Sequence, residues 1–416
     1  MRLRKIRLPF KAKKTVLAVG GHNKNTLCLI KGDYAYLSPA LSSLSSPGDF
    51  LVFVTNSRYL LKKYPRIIAH DLHPEYQSTK YALNLSPNAY HLTPIQHHHA
   101  HIVSCMVENG LRNQKVIGVA FDGTGLGTDN TLWGAEFLVC DYKFFQRKAH
   151  LKEIPLLGGE AAILEPARLA AMWLYSVYKD KFLDLRINFV KSLDKRKWRV
   201  LKNMYSSGFN SPRASSMGRL FDAVASLVLE KYRAGFEAEL AMELEKIAAA
   251  CVLRPRGYNF KIVQRRGTYV IEPAAIFREV VRDLQHRESR EKIAYRFHLT
   301  VAQMIRKLSL ALRKEHKINT VVLSGGVFQN NLLLRLSSDL LYREGFKVVT
   351  HKELSCSDSG ISLGQAVIAH FSRIQLLRRR CGIPPLEKGL LRREGVKYVP
   401  GYSDEGKKNQ RGLRRS

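Results

Sequence analysis

A chain of 416 residues with 45% apolar content has the length and composition of a globular protein of two or three domains. No apolar run reaches membrane-spanning length, the opening MRLRKIRLPFKAKK has no signal-like stretch, and six scattered cysteines without a CxxC pair exclude a zinc finger, a disulfide framework and a thioredoxin-like site. The formal net charge of +33 would attract nucleic acid, nucleotides or an acidic partner, but it is spread along the chain without interleaved aromatics, so nucleic acid is the less favoured partner. A cytoplasmic protein that does not enter membranes is expected.

Taken in order, residues 1–14 read as a basic arm. Thr15 to Gly21 then reads as a buried strand ending in a glycine turn, and Asn25 to Lys31 as a returning strand. Such a turn can aim N–H groups at a phosphate, but Gly-Gly alone is a weak signal and a plain hairpin is the more frequent outcome. In Ala69-His70-Asp71-Leu72-His73-Pro74 a strand runs into a loop. Polar residues there can line a site, although a turn made by Asp71 and Pro74 is the simpler reading.

The stretch Thr93-Pro94-Ile95-Gln96-His97-His98-His99-Ala100-His101 places four of fourteen histidines within five positions. Thr93 as cap and Pro94 in the first turn predict one helix from about Pro94 to Asn109. On it His97 and His101 share a face and can take two positions on a divalent metal, whereas a polar helix face with solvated histidines is the bland alternative. His98 and His99 are candidates for supporting or substrate-facing roles. A zincin is excluded because His98 stands where its glutamate base would be.

Next, Lys115 to Phe121 reads as a strand entering the turn Asp122-Gly123-Thr124-Gly125-Leu126-Gly127, and Leu132 to Phe137 returns from it. Three glycines within five positions exceed what a hairpin needs and point to a phosphate site, with Asp122 and Thr124 placed to hold a metal-bridged phosphate. Residues from about 160 to 260 form a largely helical insert, in which Ser215-Ser216 opens a helix carrying Asp222, a candidate for a ribose hydroxyl. A long helix follows over Glu291 to Lys314. Then Asn319 to Leu323 reads as a buried strand leading through Ser324-Gly325-Gly326 into a helix whose N-terminus faces an anion or base. A partner loop, Ser355 to Gly364, offers Asp358 as candidate third metal ligand.

Together these motifs resemble the C-terminal, tRNA-modification-enzyme-like part of the HypF carbamoyltransferase family of hydrogenase maturation. The similarity lies in Lys24-Asn25-Thr26, AHDLHP (Ala69 to Pro74), QHHHAH (Gln96 to His101), VAFDGTGxGTD (Val119 to Asp129), WGxEF (Trp133 to Phe137), SSMGRLFDA (Ser215 to Ala223), Phe297-His298, LSGGVFQN (Leu323 to Asn330) and GISLGQA (Gly360 to Ala366). The resemblance implies an α/β, actin-like ATPase (ASKHA) fold, with two duplicated lobes around a nucleotide cleft. The lobes are expected over 15–112 and 113–371, with a basic tail over 372–416.

The resemblance also implies a metal, iron or zinc, on His97, His101 and Asp358. It places nucleotide contacts at Asp122, Gly123, Thr124, Gly125, Asp222, Gly325, Gly326 and Asn330. It implies carbamoyl transfer from carbamoyl-adenylate to the C-terminal cysteine of a HypE-like acceptor. No residue is identified as a covalent nucleophile. With about fifteen residues before the first strand, the family's upstream acylphosphatase, zinc-finger and adenylate-forming regions have no room, so a separate carbamoyl-adenylate-forming protein is expected. A tRNA- or small-molecule-directed transferase and a non-catalytic nucleotide-binding scaffold are the alternatives. Two departures bear on the site. The family's YEGQ-like segment is Phe236-Glu237-Ala238-Glu239, and its NDGG-like segment is Ser357-Asp358-Ser359-Gly360.

Overall fold

The strand Arg4–Ala18 begins inside the region expected as a basic arm. Its charges alternate with Ile6, Leu8, Phe10 and Ala12, whose side chains join a buried core, so the arm is a half-buried strand. The computed structural model describes residues 2–85 and 90–372. The expected basic tail from residue 373 on, with Cys381, lies outside the described residues.

In the first sheet the strand order is Cys28–Leu37, Arg4–Ala18, Ile67–Asp71, His91–Ile95. The first pair is antiparallel, and its register shifts twice, between Arg7 and Ala12 and between Ala12 and Val16. The returning strand starts at Cys28, because Asn23–Asn25 pairs separately with Leu41–Ser43. Ile67–Asp71 and His91–Ile95 run parallel, with Asp71 opposite Ile95. That register sets the end of one strand beside the start of the histidine helix.

The second sheet has the order Lys261–Arg265, Thr268–Glu272, Phe145–Leu151, Leu132–Cys140, Val116–Leu126, Thr320–Ser324, Lys347–Val349. Val116–Leu126 does not turn at Asp122. It runs on through the glycines with a register shift between Phe121 and Gly125, and the reversal comes only after Leu126. Strand alternation therefore governs the motif: Ile117, Val119 and Phe121 pack into the core shared with the covering helices, while Val116, Ala120 and Asp122 face the histidine helix side.

The histidine helix spans His97–Glu108, shorter than expected. Pro94 lies in the edge strand, where a missing N–H costs no ladder bond, and Gln96 rather than Thr93 caps the helix by accepting from the His99 N–H. Every residue from His97 to Val107 is buried. This helix and the final one, Ile361–Phe371, form one core between the two sheets. They touch closely, since a Cβ on Gly364 would lie 1.9 Å from the Ala100 carbonyl oxygen. The long insert forms helices that include Pro166–Tyr178, Met217–Leu229 and Glu239–Ala249, and Arg290–His316 packs with them. Among the described residues no helix is long and apolar enough to cross a membrane.

Candidate metal centre and nucleotide loops

His97 and His101, one turn apart on the buried helix, turn their Nε2 atoms to the same point. Asp122 Oδ2 stands 3.3 Å from His97 Nε2 and 3.4 Å from His101 Nε2, and Asp358 Oδ1 is 3.5 Å from both. The four ligand atoms lie within 4.8 Å of one another. A charge-assisted hydrogen bond would close to about 2.7–2.9 Å. A tetrahedron with bonds of about 2.05 Å has edges of about 3.3 Å, so four of the six separations fit a shared ion better than direct pairing. His101 Nε2, buried and without a hydrogen-bond partner among the described residues, is the kind of atom an ion would satisfy. The donor set fits a divalent metal.

The structure thus brings His97, His101 and Asp358 together and adds Asp122, which was expected among the nucleotide contacts. Asp71, whose sequence context suggests only a turn, also reaches this cluster through His97. His97 Nδ1–H donates to Asp71 Oδ2 at 2.8 Å, which leaves Nε2 to face the cluster. Asp71 Oδ1 also accepts the His73 N–H at 2.9 Å, so the turn reading and the site role hold at once.

Burial works to lower the His97 pKa, but Asp71, Asp358 and Asp122 overcome it and hold that pKa well above the ordinary imidazole value. Burial would likewise raise Asp122, yet His101 and His97 hold it well below the usual carboxylate range. Burial lowers His98 and His99. Both are buried: His98 Nδ1 lies 3.1 Å from Gln96 Nε2 while its Nε2 has no partner among the described residues, and His99 Nε2 lies 2.6 Å from the Asp141 carbonyl oxygen.

The glycines make room for these side chains. A Cβ on Gly125 would lie 2.8 Å from the His97 and His98 rings, and one on Gly127 would strike the Trp133 indole at 2.0 Å. Gly325, at φ +102°, passes the Phe121 carbonyl at a distance that no Cβ tolerates, and the Gly326 N–H then donates to Asp122 Oδ1 at 3.1 Å. The residues after Gly325 form a 3₁₀ turn, Gly326–Gln329, instead of entering a helix directly. Asn330 caps the helix Asn331–Arg343, its Oδ1 accepting from Leu333 N–H and its Nδ2 lying 2.9 Å from His298 Nε2. Asp222 is buried beside Arg219, and Thr124 is half-buried in the bulged strand.

Asp358 opens a 3₁₀ turn tied to the segment before Cys28–Leu37 and to the histidine helix. Thr26 Oγ1–H donates to the Ser359 carbonyl at 2.8 Å, and Ser104 Oγ–H donates to the Gly360 carbonyl at 2.7 Å. Gly21 of the first glycine turn approaches closely enough that its Cβ would lie 3.5 Å from Asp358 Oδ2.

Residues 11–108 match the HypF Kae1-like domain, and residues 118–365 match the carbamoyltransferase Kae1-like domain, second subdomain. The chain belongs to the HypF carbamoyltransferase family. It is 33% identical over 376 residues to the carbamoyltransferase HypF of Synechocystis sp., covering 86% of this chain and 48% of that protein. It is 32% identical over 363 residues to a carbamoyltransferase HypF homolog of Cupriavidus necator, covering 85% of this chain and 91% of the relative. A crystal structure of full-length HypF in a phosphate- and nucleotide-bound form superposes with a TM-score of 0.82 at 41% identity, over 88% of this chain and 47% of that one. The chain thus spans about half the length of the first of these relatives and of this crystal structure. The actin-like fold follows from the same likeness.

Within this HypF-type frame the two departures are local. Ala238 caps Glu239–Ala249 at φ +68°, a left-handed conformation that suits the glycine of the family pattern. Ser359 keeps its turn through its carbonyl, which Thr26 engages, so the departure at this side chain leaves that contact intact.

Proposed function

We propose that this chain is a carbamoyltransferase of nickel-iron hydrogenase maturation. In this reading it works in the cytoplasm and passes the carbamoyl group of carbamoyl-adenylate to the C-terminal cysteine of a HypE-like acceptor. Membership of the HypF family supports the reaction class. The observation that carries the site is the convergence of His97, His101, Asp122 and Asp358 from the two lobes on one point. These four residues would hold the metal, iron or zinc, and a metal there would polarise a carbamoyl or phosphate oxygen as a Lewis acid.

The chain's own residues do the rest. Asp71 fixes the His97 tautomer, and Gly326 N–H fixes the Asp122 carboxylate by one oxygen while the other faces the histidines. The Gly20-Gly21 turn and the Gly123 to Gly125 strand border the cluster from opposite lobes, where backbone can approach a nucleotide phosphate. The thiolate of the acceptor is the nucleophile, and AMP leaves with the bonding electrons of the carbamoyl–phosphate link.

The test mixes the chain with carbamoyl phosphate, ATP and a HypE-like acceptor, with and without a separate carbamoyl-adenylate-forming protein. Carbamoylated acceptor is expected only when that protein is present. Transfer without it refutes the split-enzyme reading, and no transfer in either mixture refutes the activity.

The net charge of +33 supports a second reading, in which tRNA is the acceptor. Salt-dependent tRNA binding that persists near 0.1 M salt would favour it over the protein acceptor.

A further inference from the structure

Beside Gly123 stands a charged group that the metal cluster does not use. Arg219, on the helix Met217–Leu229, is 2% exposed, and its Nε and Nη1 have no hydrogen-bond partner among the described residues. Asp222 Oδ2 lies 3.2 Å from Nε without the alignment of a hydrogen bond. Burial pushes the Asp222 carboxyl up to about 6, with Arg219 drawing it back only in part. Arg219 Nη2–H donates to Glu237 Oε1 at 2.9 Å. A buried guanidinium with idle N–H groups is costly, and its planar fork is shaped for oxyanions.

Glu237 is a different kind of partner. Its side chain is 51% exposed, and it sits on the segment between Glu230 and Ala238, both of which adopt left-handed backbone. A Cβ on Gly123 would lie 2.8 Å from Glu237 Oε1 and 3.4 Å from Arg219 Nη2. The ion pair therefore packs against the bare backbone of Gly123, the residue after Asp122.

We propose that Arg219 is an oxyanion-binding residue for the phosphate of the nucleotide, and that Glu237 is its removable counter-ion, holding the guanidinium until phosphate displaces it. The inference rests on the nucleotide reading above and adds to it a residue and a latch. No bond is made or broken. One carboxylate swings to solvent and one phosphate oxygen takes its place on Nη2. The geometry favours this direction of exchange because Glu237 is already half in water, whereas Arg219 and Asp222 are not.

Calorimetric titration of the full chain with AMP, adenosine and inorganic phosphate tests it, in the wild type, Glu237→Gln and Arg219→Lys proteins. Removing the competing charge in Glu237→Gln is expected to tighten AMP binding roughly fivefold and to leave adenosine binding unchanged. Arg219→Lys is expected to weaken AMP about tenfold with adenosine again unchanged, since a lysine cannot reproduce the fork. Glu237 is half-exposed, so its variant is expected to keep the wild-type melting temperature, and it keeps the test open if Arg219→Lys does not fold. Unchanged AMP affinity in Glu237→Gln overturns the latch. Equal changes for AMP and adenosine overturn the phosphate assignment, as does inorganic phosphate binding as tightly as AMP. Binding of neither AMP nor adenosine by any of the proteins overturns the nucleotide reading itself.

Discussion

Asp71 Oδ2 and His97 Nδ1 stand 2.8 Å apart because two parallel strands end in register, with Asp71 opposite Ile95, two residues before the histidine. Nothing about the carboxylate touches the point where the four cluster atoms converge, yet it decides which imidazole nitrogen faces that point. Asp71→Asn is therefore expected to lower metal affinity by roughly 10–100-fold while the melting temperature moves little. Competition with a chelator of known affinity measures it. Wild-type affinity in the variant would show that the histidine needs no such support.

Gly125 is expected to tolerate no side chain. Its Cβ would lie 2.8 Å from the rings of both His97 and His98, inside a helix buried along its length. Gly125→Ala should cost about 1–3 kcal/mol of stability and should also reduce the metal bound per folded chain, because the displaced ring is a proposed ligand. Denaturant unfolding and metal analysis of the same preparation read both effects.

Glu108 closes the far end of the histidine helix. It accepts N–H groups from Lys352 and Leu354 at 2.9 Å each and lies 2.5 Å from His351 Nδ1, so it ties the helix to the loop that leads to Asp358. Burial opposes its charge, but the His351 contact and the backbone N–H groups of Glu353 and Leu354 hold its pKa down at about 2. A depressed carboxylate contributes stability in full above its ordinary value of 4.5 and loses it as pH falls toward 2. Glu108→Gln should cost about 2 kcal/mol at pH 7, and the gap from wild type should narrow between pH 4.5 and 2. Denaturation midpoints at pH 7 and at acid pH measure this, and a gap that does not change with pH would contradict it.

Ala238 holds φ +68° without being glycine. Ala238→Gly removes about 1–2 kcal/mol of backbone strain against about 0.4–1 kcal/mol of added unfolded-state entropy, so a net gain of about 0.5–1 kcal/mol is expected. A small rise in melting temperature is the readout.

Much of this arrangement was legible in the residues. The i, i+4 histidines, the late aspartate and the glycine pairs at strand ends are local patterns, and alternation or helical period places them. What was not legible depended on partners distant in sequence. Pro94 looked like a helix start because nothing local says that Ile95 pairs beside Asp71. The Asp122 segment reads as a turn because glycines suggest turns, whereas the strand runs on to Leu126, and the neighbouring His97 and His98 rings account for a glycine at 125 in a continuous strand. The basic start looked like an arm because net charge hid its alternation. Arg219 stands inside the family-like stretch Ser215 to Ala223, but its role is not legible there, since its idle N–H groups exist only once the helix Met217–Leu229 is buried.

His97, His101, Asp122 and Asp358 are proposed to form one metal centre. The most direct measurement is the metal content of the folded chain after loading with iron(II) or zinc and gel filtration, in the wild type and in the His101→Ala and Asp358→Ala variants. One ion per wild-type chain is expected, with loss of that ion in both variants at unchanged fold. Equal metal content in all three proteins, or no ion in the wild type, would contradict it.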